Sequence, residues 1–326
     1  MRRPDFSYLI RSGLGIPDYW HPHLEIQKDF QSGKIGLYPV SMDIKADYPG
    51  QLSQDGVPIV FLSGAPFILP VTVALYGLGS HDAFLNTGIE RYHRQMMSAL
   101  QWLQKHFVPL GPGIGWPNPE DLPVYRLKSP WVSGLSQALA LSLFIRAHQF
   151  EPQRHWSRLA RKTWLGFRVP VEQGGFRREL NDGVIYEEYP GPEVDCAFSG
   201  MCLALIGLWE SCRSGVVAEA ELDFASGVAG LRSCLQKFVH GRWSLYSLNQ
   251  CLRRPLLASP YYQRTNGLLA QVVGIMADEP VFQVHGERWV ESSDSFVRRM
   301  GLSLRIGLDR FLRAPTLLHS DKSKNA

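Results

Sequence analysis

Apolar positions along the 326-residue chain fall into two alternating kinds of segment. In the first kind they recur every three or four residues with charged residues between, the pattern of a helix that buries one face. From Gly88 to Phe107 the stripe is Ile89, Tyr92, Met96, Leu100, Leu103 and Phe107, with Glu90, Arg91, Arg94 and Lys105 off it. Gln153 to Phe167 sets Trp156, Leu159 and Trp164 against Arg154, Arg158, Arg161 and Lys162, and Leu222 to Val239 repeats the pattern through Val228, Leu231, Leu235 and Phe238. The second kind is apolar on nearly every side, as a fully buried helix must be. Pro130 to Ala147 is of this kind apart from residues such as Ser133, Ser136, Gln137 and Arg146, and so are Asp195 to Glu210 and Asn266 to Met276. A short helix is predicted from Pro70 to Leu78, where proline suits the first turn. A last helix is predicted from about Ser292 to Arg313, with Phe296, Met300, Leu304 and Phe311 inward and Arg298, Arg299, Arg305, Arg310 and Arg313 as a solvated face.

Alternation of this sort predicts an inner ring of helices enclosed by an outer one. The expected fold is therefore mainly α, an (α/α) toroid or incomplete barrel whose inner helices converge on a cleft, with loops and a short hairpin able to carry a site. Residues 1–69 are rich in Pro, Gly, Tyr and His, carry strand-sized pieces such as IGLYPVSMDI and VPIVFL, and lack a long helical period. They read as an extended arm on a body of residues 70–313, followed by a polar, disordered tail at 314–326.

The most informative interruption lies between Gly174 and Pro190. GGFRREL and VIYEEYP flank Asn181-Asp182-Gly183, which predicts a β-hairpin with a tight turn. The hairpin would bring Tyr186, Glu187, Glu188 and Tyr189 to the mouth of the core, and two acids beside two phenols can carry protons. They can do so near neutral pH only if neighbours shift them: Glu187 and Glu188 would raise one another, and a nearby arginine would lower a tyrosine. In a regular strand Glu188 and Tyr189 would face opposite ways, so a twist before the helix at Asp195 is needed to bring them together. Leu110 to Lys128 is a Gly/Pro loop carrying Trp116, longer than a plain connector needs to be, and Gly241 to Tyr262 reads as strand-like or irregular.

Composition narrows the function classes. A net charge of +4 from 34 basic and 30 acidic residues comes without a Lys/Arg run interleaved with aromatics, which argues against nucleic acid but leaves room for a polyanionic substrate. No run is apolar and long enough for a signal peptide or a membrane helix, so the expected address is the cytoplasm. Five cysteines, odd in number and without C-x-x-C spacing, read as reduced core thiols. Tyr19, Trp20, His21 and His23 read as aromatic packing, since no carboxylate sits at ligand spacing, and no metal is expected. Ser133 and Ser136 lack a His/Asp pattern for nucleophilic catalysis.

Three segments resemble the C-terminal catalytic domain of the D-glucuronyl C5-epimerases. SPWVSGLSQALALSLFIRA (129–147) is similar to the family's W-x-S-x-x-x-Q helix, YEEYPGPEVDCAFSGMCLALIGLWE (186–210) to its E-E-Y-P segment and following helix, and GRWSLYSLNQ (241–250) with YYQRTNGLLAQVVGIMADEPVF (261–282) to its last tyrosine-bearing loops. DGVPIVFLSGAPFILPVTVALYGLG (55–79) matches more loosely, and the resemblance covers about residues 38 to 290. It implies a carbohydrate epimerase, an isomerase of polysaccharide biosynthesis converting D-glucuronate to L-iduronate by two-base proton transfer at C5, with no organic cofactor. A uronate lyase, or a glycan-binding or assembly protein on the same fold, is the alternative. The implied catalytic residues are Glu188, Tyr189, Tyr246 and Tyr262. The implied substrate-binding residues are Glu187, Gln137, Trp131, Trp116, Arg253, Arg254 and Arg264. The expected partner is a uronate-containing polysaccharide or oligosaccharide, with a homodimer as the assembly considered. The chain departs from the family pattern at Asn249, where an arginine is usual, at Phe67-Ile68-Leu69 in place of a Tyr-rich run, and at Gln263 and Asn266.

Overall fold

The computed structural model describes residues 6–62, 64–152, 155–249 and 256–313. Among these residues the α-helices are α1 (Phe6–Leu14), α2 (Pro70–Thr87), α3 (Glu90–His106), α4 (Gly134–Phe150), α5 (Trp156–Gly166), α6 (Phe198–Arg213), α7 (Ala220–Phe238), α8 (Pro260–Met276), α9 (Pro280–Asp294) and α10 (Phe296–Arg313). The helices apolar all round, α2, α4, α6 and α8, pack on one another in that order, and each is backed by the one-faced helix that follows it in the chain. This is the (α/α) toroid expected from the alternation. Leu139 through Ala147 on α4 and Ala204 through Leu208 on α6 are essentially sealed from solvent. One hydrophobic cluster runs through the inner ring and out to the facing sides of α3, α5 and α7.

Several boundaries differ from the sequence reading. Helix α2 runs on past Leu78 to Thr87 and stops where Gly88 takes φ +69°, a left-handed conformation that glycine adopts without strain. Helix α9 was not anticipated, and the predicted last helix begins instead at Phe296 after an extended Ser295. In α10 the buried side is Leu302, Ser303 and Ile306, packed with Leu9 and Trp243, while Phe296 and Leu304 are exposed. The helix is turned this way because Gly13 of α1 admits Ser303 and Met300 to close contact. The arm likewise holds a helix, α1, which the lack of a long period had concealed. The predicted tail at 314–326 and the side chain of Phe311 lie outside the described residues.

A buried ion pair ties the arm to the ring. Arg146 of α4 donates from Nη1 and Nη2 to the two carboxylate oxygens of Glu210 on α6, both at 2.7 Å. The same guanidinium donates to Gly36 O at 3.2 Å and lies over the Tyr38 ring, 5.1 Å from its centroid. Asp82 on α2 accepts the Tyr38 amide. Three helices and one extended segment thus depend on charges that no water reaches. Cys196, Cys202 and Cys234 are buried free thiols and Cys212 a half-buried one, while Cys251 is outside the described residues. No helix among the described residues is long and apolar enough to cross a membrane.

Candidate active site

Strands Arg177–Leu180 and Gly183–Tyr186 pair antiparallel, with Leu180 opposite Gly183 and Asn181-Asp182 as the loop. The positive φ of the turn falls on Gly183, not on Asn181 or Asp182. A Cβ there would come within 2.4 Å of Gly230 N, and one on Gly230 within 2.1 Å of Val184 O. These two glycines therefore let the hairpin lie flush on α7.

Pairing ends at Tyr186, and Glu187 to Pro190 leave the strand through a bend. The face alternation of a strand no longer applies, which removes the geometric obstacle. The bend is anchored by Glu187, whose amide donates to Phe176 O at 2.8 Å and whose carbonyl accepts from Gly134 N at 2.9 Å. Its side chain turns toward Arg178, which donates through Nε at 2.8 Å and Nη2 at 3.1 Å, and it also accepts the Asp195 amide at 2.9 Å. Glu188 packs on the start of α6, where a Cβ on Gly200 would lie 2.6 Å from its Oε2.

Tyr189 meets residues from three other segments. Its ring stacks on Tyr125, from the Gly/Pro loop, at 4.1 Å between centroids and 8° between planes, and Trp131 lies 6.2 Å away. Its hydroxyl is 3.4 Å from that of Tyr246, and the Tyr246 ring meets Tyr262 edge-on at 4.8 Å. Tyr246 sits on the strand Trp243–Ser247 and Tyr262 in the first turn of α8, so something must hold that strand to that helix. Gln263 and Asn266 do so. Gln263 Oε1 accepts from Ser244 N at 2.7 Å, and Asn266 Nδ2 donates to Ser244 Oγ at 3.0 Å and Leu245 O at 3.2 Å. A buried carboxyl and four phenols, drawn from four separate stretches of sequence, thus converge at one end of the ring.

A family model of the D-glucuronyl C5-epimerase C-terminus matches residues 113–291, which include Glu188, Tyr125, Tyr189, Tyr246 and Tyr262. The chain belongs to the D-glucuronyl C5-epimerase C-terminus family. The D-glucuronyl C5-epimerase of Caenorhabditis elegans is 26% identical over 220 residues, covering 62% of this chain and 35% of that protein. The chain therefore spans about a third of the length of that curated relative. Among solved structures a D-mannose isomerase superposes with a TM-score of 0.53 at 11% identity, over 82% of this chain and 70% of the other, a likeness of fold.

The epimerase-family cluster has an unusual charge balance. Burial pushes the Glu188 carboxyl up to about 7; the hydrogen bond with Tyr189 opposes this and the charge of Asp195 adds to it. Mutual repulsion with Glu187, expected from their adjacency, is not the cause. Burial also pushes Glu187 up to about 7 against its donors. Its two-pronged geometry is nevertheless that of an ion pair, and Arg178 is correspondingly held more firmly cationic, so Glu187 anchors the bend. Burial raises Tyr189, Tyr246 and Tyr262 well above their ordinary value, and the Glu188 charge raises each further. The expectation that a nearby arginine would lower a phenol is thus overturned, and these tyrosines are neutral donors at neutral pH.

The other residues that the sequence suggested for substrate binding fall elsewhere, with the exception of Trp131. Trp116 and Gln137 are fully buried; Trp116 donates to Leu103 O, and Gln137 donates to Ile114 O and Thr163 O, so they brace the core where no sugar reaches. Trp131 stays at the cluster, its Nε1 donating to Glu120 O at 2.9 Å. Arg264 pairs with Asp294 at 2.7 Å and lines a hollow that it shares with Tyr261 and the arm, whose lining among the described residues does not include Glu188, Tyr189 or Tyr246. Arg253 and Arg254 lie outside the described residues.

Sequence reasoning missed Tyr125 and Asp195. The length of the Gly/Pro loop was the only signal for Tyr125. Asp195 is 3% exposed, burial pushes it up to about 6 with the nearby Ser247 hydroxyl opposing the rise, and among the described residues neither carboxylate oxygen has a hydrogen-bond partner of ordinary geometry. It read as a polar helix flank.

The raised Glu188 carboxyl has a consequence for stability. The folded protein keeps a proton that the unfolded chain gives up, so the contribution is full below about pH 4.5 and is lost as pH rises through about 7. Stability from urea unfolding should fall across this window, and Glu188→Gln should reduce the fall by on the order of 3 kcal/mol. An equal pH dependence in both proteins would contradict the assignment.

Proposed function

We propose that the chain is a carbohydrate epimerase that inverts C5 of a hexuronate, of the D-glucuronate to L-iduronate type, within a glycan or glycan precursor. The observation that carries this reading is the buried Glu188 carboxyl set among Tyr189, Tyr246 and Tyr262, the first a proton acceptor matched to neutral pH and the others donors. Glu188 takes the C5 proton, and the electron pair of the broken C–H bond moves into the sugar carboxylate to give an enediolate. A phenol on the opposite face then gives its proton to C5, leaving a phenolate. The proton on Glu188 returns to that phenolate through the contacts joining Glu188, Tyr189 and Tyr246, which restores the starting state. Phenol hydroxyls that donate to the developing enediolate lower the barrier between the transfers.

Incubation with uronate polymers in D2O tests the reading. Deuterium at C5 together with both epimers is the expected result. An unsaturated, ultraviolet-absorbing product would show instead that the C4 substituent leaves after the same abstraction, as in a lyase. Binding with neither product would make the chain a glycan-binding protein.

A further inference from the structure

Beside the tyrosine cluster, sharing the wall of Tyr261 whose ring meets that of Tyr262, lies a cavity of about 210 Å³ between the N-terminal arm and the ends of α8, α9 and α10. Its walls include Arg11, Arg264 and Arg299 together with the rings of Tyr8, His21 and Tyr261. His21 joins the two places: its ring is 4.9 Å from that of Tyr261 and 6.4 Å from that of Tyr262, which in turn touches Tyr246. The cavity is thus one aromatic ring beyond the proposed reaction centre.

The charges in it do not cancel. Arg11 pairs with Asp18 and Arg264 with Asp294, so among the described residues the lining holds three guanidinium groups against two carboxylates. Arg299 is fixed by carbonyls, donating to Gly13 O at 3.1 Å, Ser293 O at 2.8 Å and Asp294 O at 2.9 Å. Burial pushes His21 down to about 4, so it adds an uncharged ring at neutral pH. Fixed guanidinium groups recognise carboxylates and tetrahedral oxyanions through paired oxygens, and flanking aromatic rings suit the faces of a sugar. The volume lies below the roughly 300–1,000 Å³ of drug-sized pockets, which suits a single residue of a longer chain.

We propose that this cavity binds a second, anionic sugar residue of the same acidic glycan, one bearing a carboxylate or a sulfate group. The proposal rests on the epimerase reading of the neighbouring cluster, and it makes the chain a reader of glycan length and charge as well as of one ring.

Calorimetric titration with an unsulfated uronate disaccharide, the matching hexasaccharide and a sulfated hexasaccharide tests it without recourse to turnover. The double variant Arg11→Gln/Arg264→Gln, which turns the excess from one guanidinium to one carboxylate, should bind a hexasaccharide roughly tenfold more weakly and the disaccharide as wild type does. Asp18→Asn frees Arg11 while keeping an acceptor for the His21 amide, and should tighten hexasaccharide binding, a gain that unfolding cannot produce. An effect on the unsulfated hexasaccharide assigns the site to carboxylate, and one confined to the sulfated chain assigns it to sulfate. Unchanged hexasaccharide affinity in these variants, or equal losses for disaccharide and hexasaccharide, would overturn the site and leave the epimerase reading standing. Absence of binding of any of the three to wild type would remove both.

Discussion

Glu188→Gln should lower C5 proton exchange by roughly 10²–10⁴-fold while the protein stays folded. Glutamine keeps the volume of the side chain against Gly200 and can still meet the Tyr189 hydroxyl, so packing is preserved. It cannot accept the C5 proton. Because the native carboxyl sits at about 7, the wild-type rate should also rise with pH through that region, a rise the variant lacks. Exchange would be followed by loss of the C5 proton signal in D2O, with a melting curve as the control for folding. Exchange within a fewfold of wild type would remove Glu188 from the reaction.

The largest effect on stability should come from Glu210→Ala. Arg146 would then keep its charge at 0% exposure with, among the described residues, carbonyl oxygens as its hydrogen-bond acceptors and the Asp82 carboxylate, already bound to the Tyr38 amide, as a nearby negative charge. Breaking a buried pair from one side costs roughly 3–5 kcal/mol, because the remaining ion is neither hydrated nor neutralised. The damage should reach the arm as well, since Arg146 holds Gly36 O and lies over Tyr38. Replacing both partners, as Arg146→Met with Glu210→Leu, should be far milder. Urea midpoints of the single and double variants give the comparison, and a single variant within about 1 kcal/mol of wild type would contradict it.

Much of the ring was legible because helix periodicity responds to large apolar side chains. α3, α4, α5 and α7 were found close to their observed limits, as was the hairpin. α9 was missed because much of its buried side is small: Gly286 lies against Gly267 of α8, and Ser292 and Ser293 are buried beside Trp289. Such a stripe carries little hydrophobic signal. α8 starts six residues earlier than predicted, at Pro260, since Gln263 and Asn266 look like surface residues yet are buried and bonded to the strand that carries Tyr246. These are also two of the positions where the chain departs from the family pattern, and their role is to place two tyrosines together.

The family resemblance pointed to Glu188, Tyr189, Tyr246 and Tyr262, and the fold brings them to one place. Residue spacing could not supply the Tyr125 stack, which joins segments far apart in the chain, and the Arg178 anchor and the buried Asp195, though near Glu187 in sequence, depend on the bend after Tyr186 that strand alternation does not show. Conversely, Trp116 and Gln137 were legible as apolar-context residues of the right type, but nothing in their spacing says that they point into the core.

A structure of the protein with a bound hexuronate oligosaccharide tests the assignment of the reaction centre most directly. The uronate C5 should lie between the Glu188 carboxyl and a phenol of Tyr189 or Tyr246, with the chain continuing past Tyr262 toward Arg11. An oligosaccharide ordered elsewhere on the ring, with Glu188 still sealed beneath the tyrosines, would contradict it.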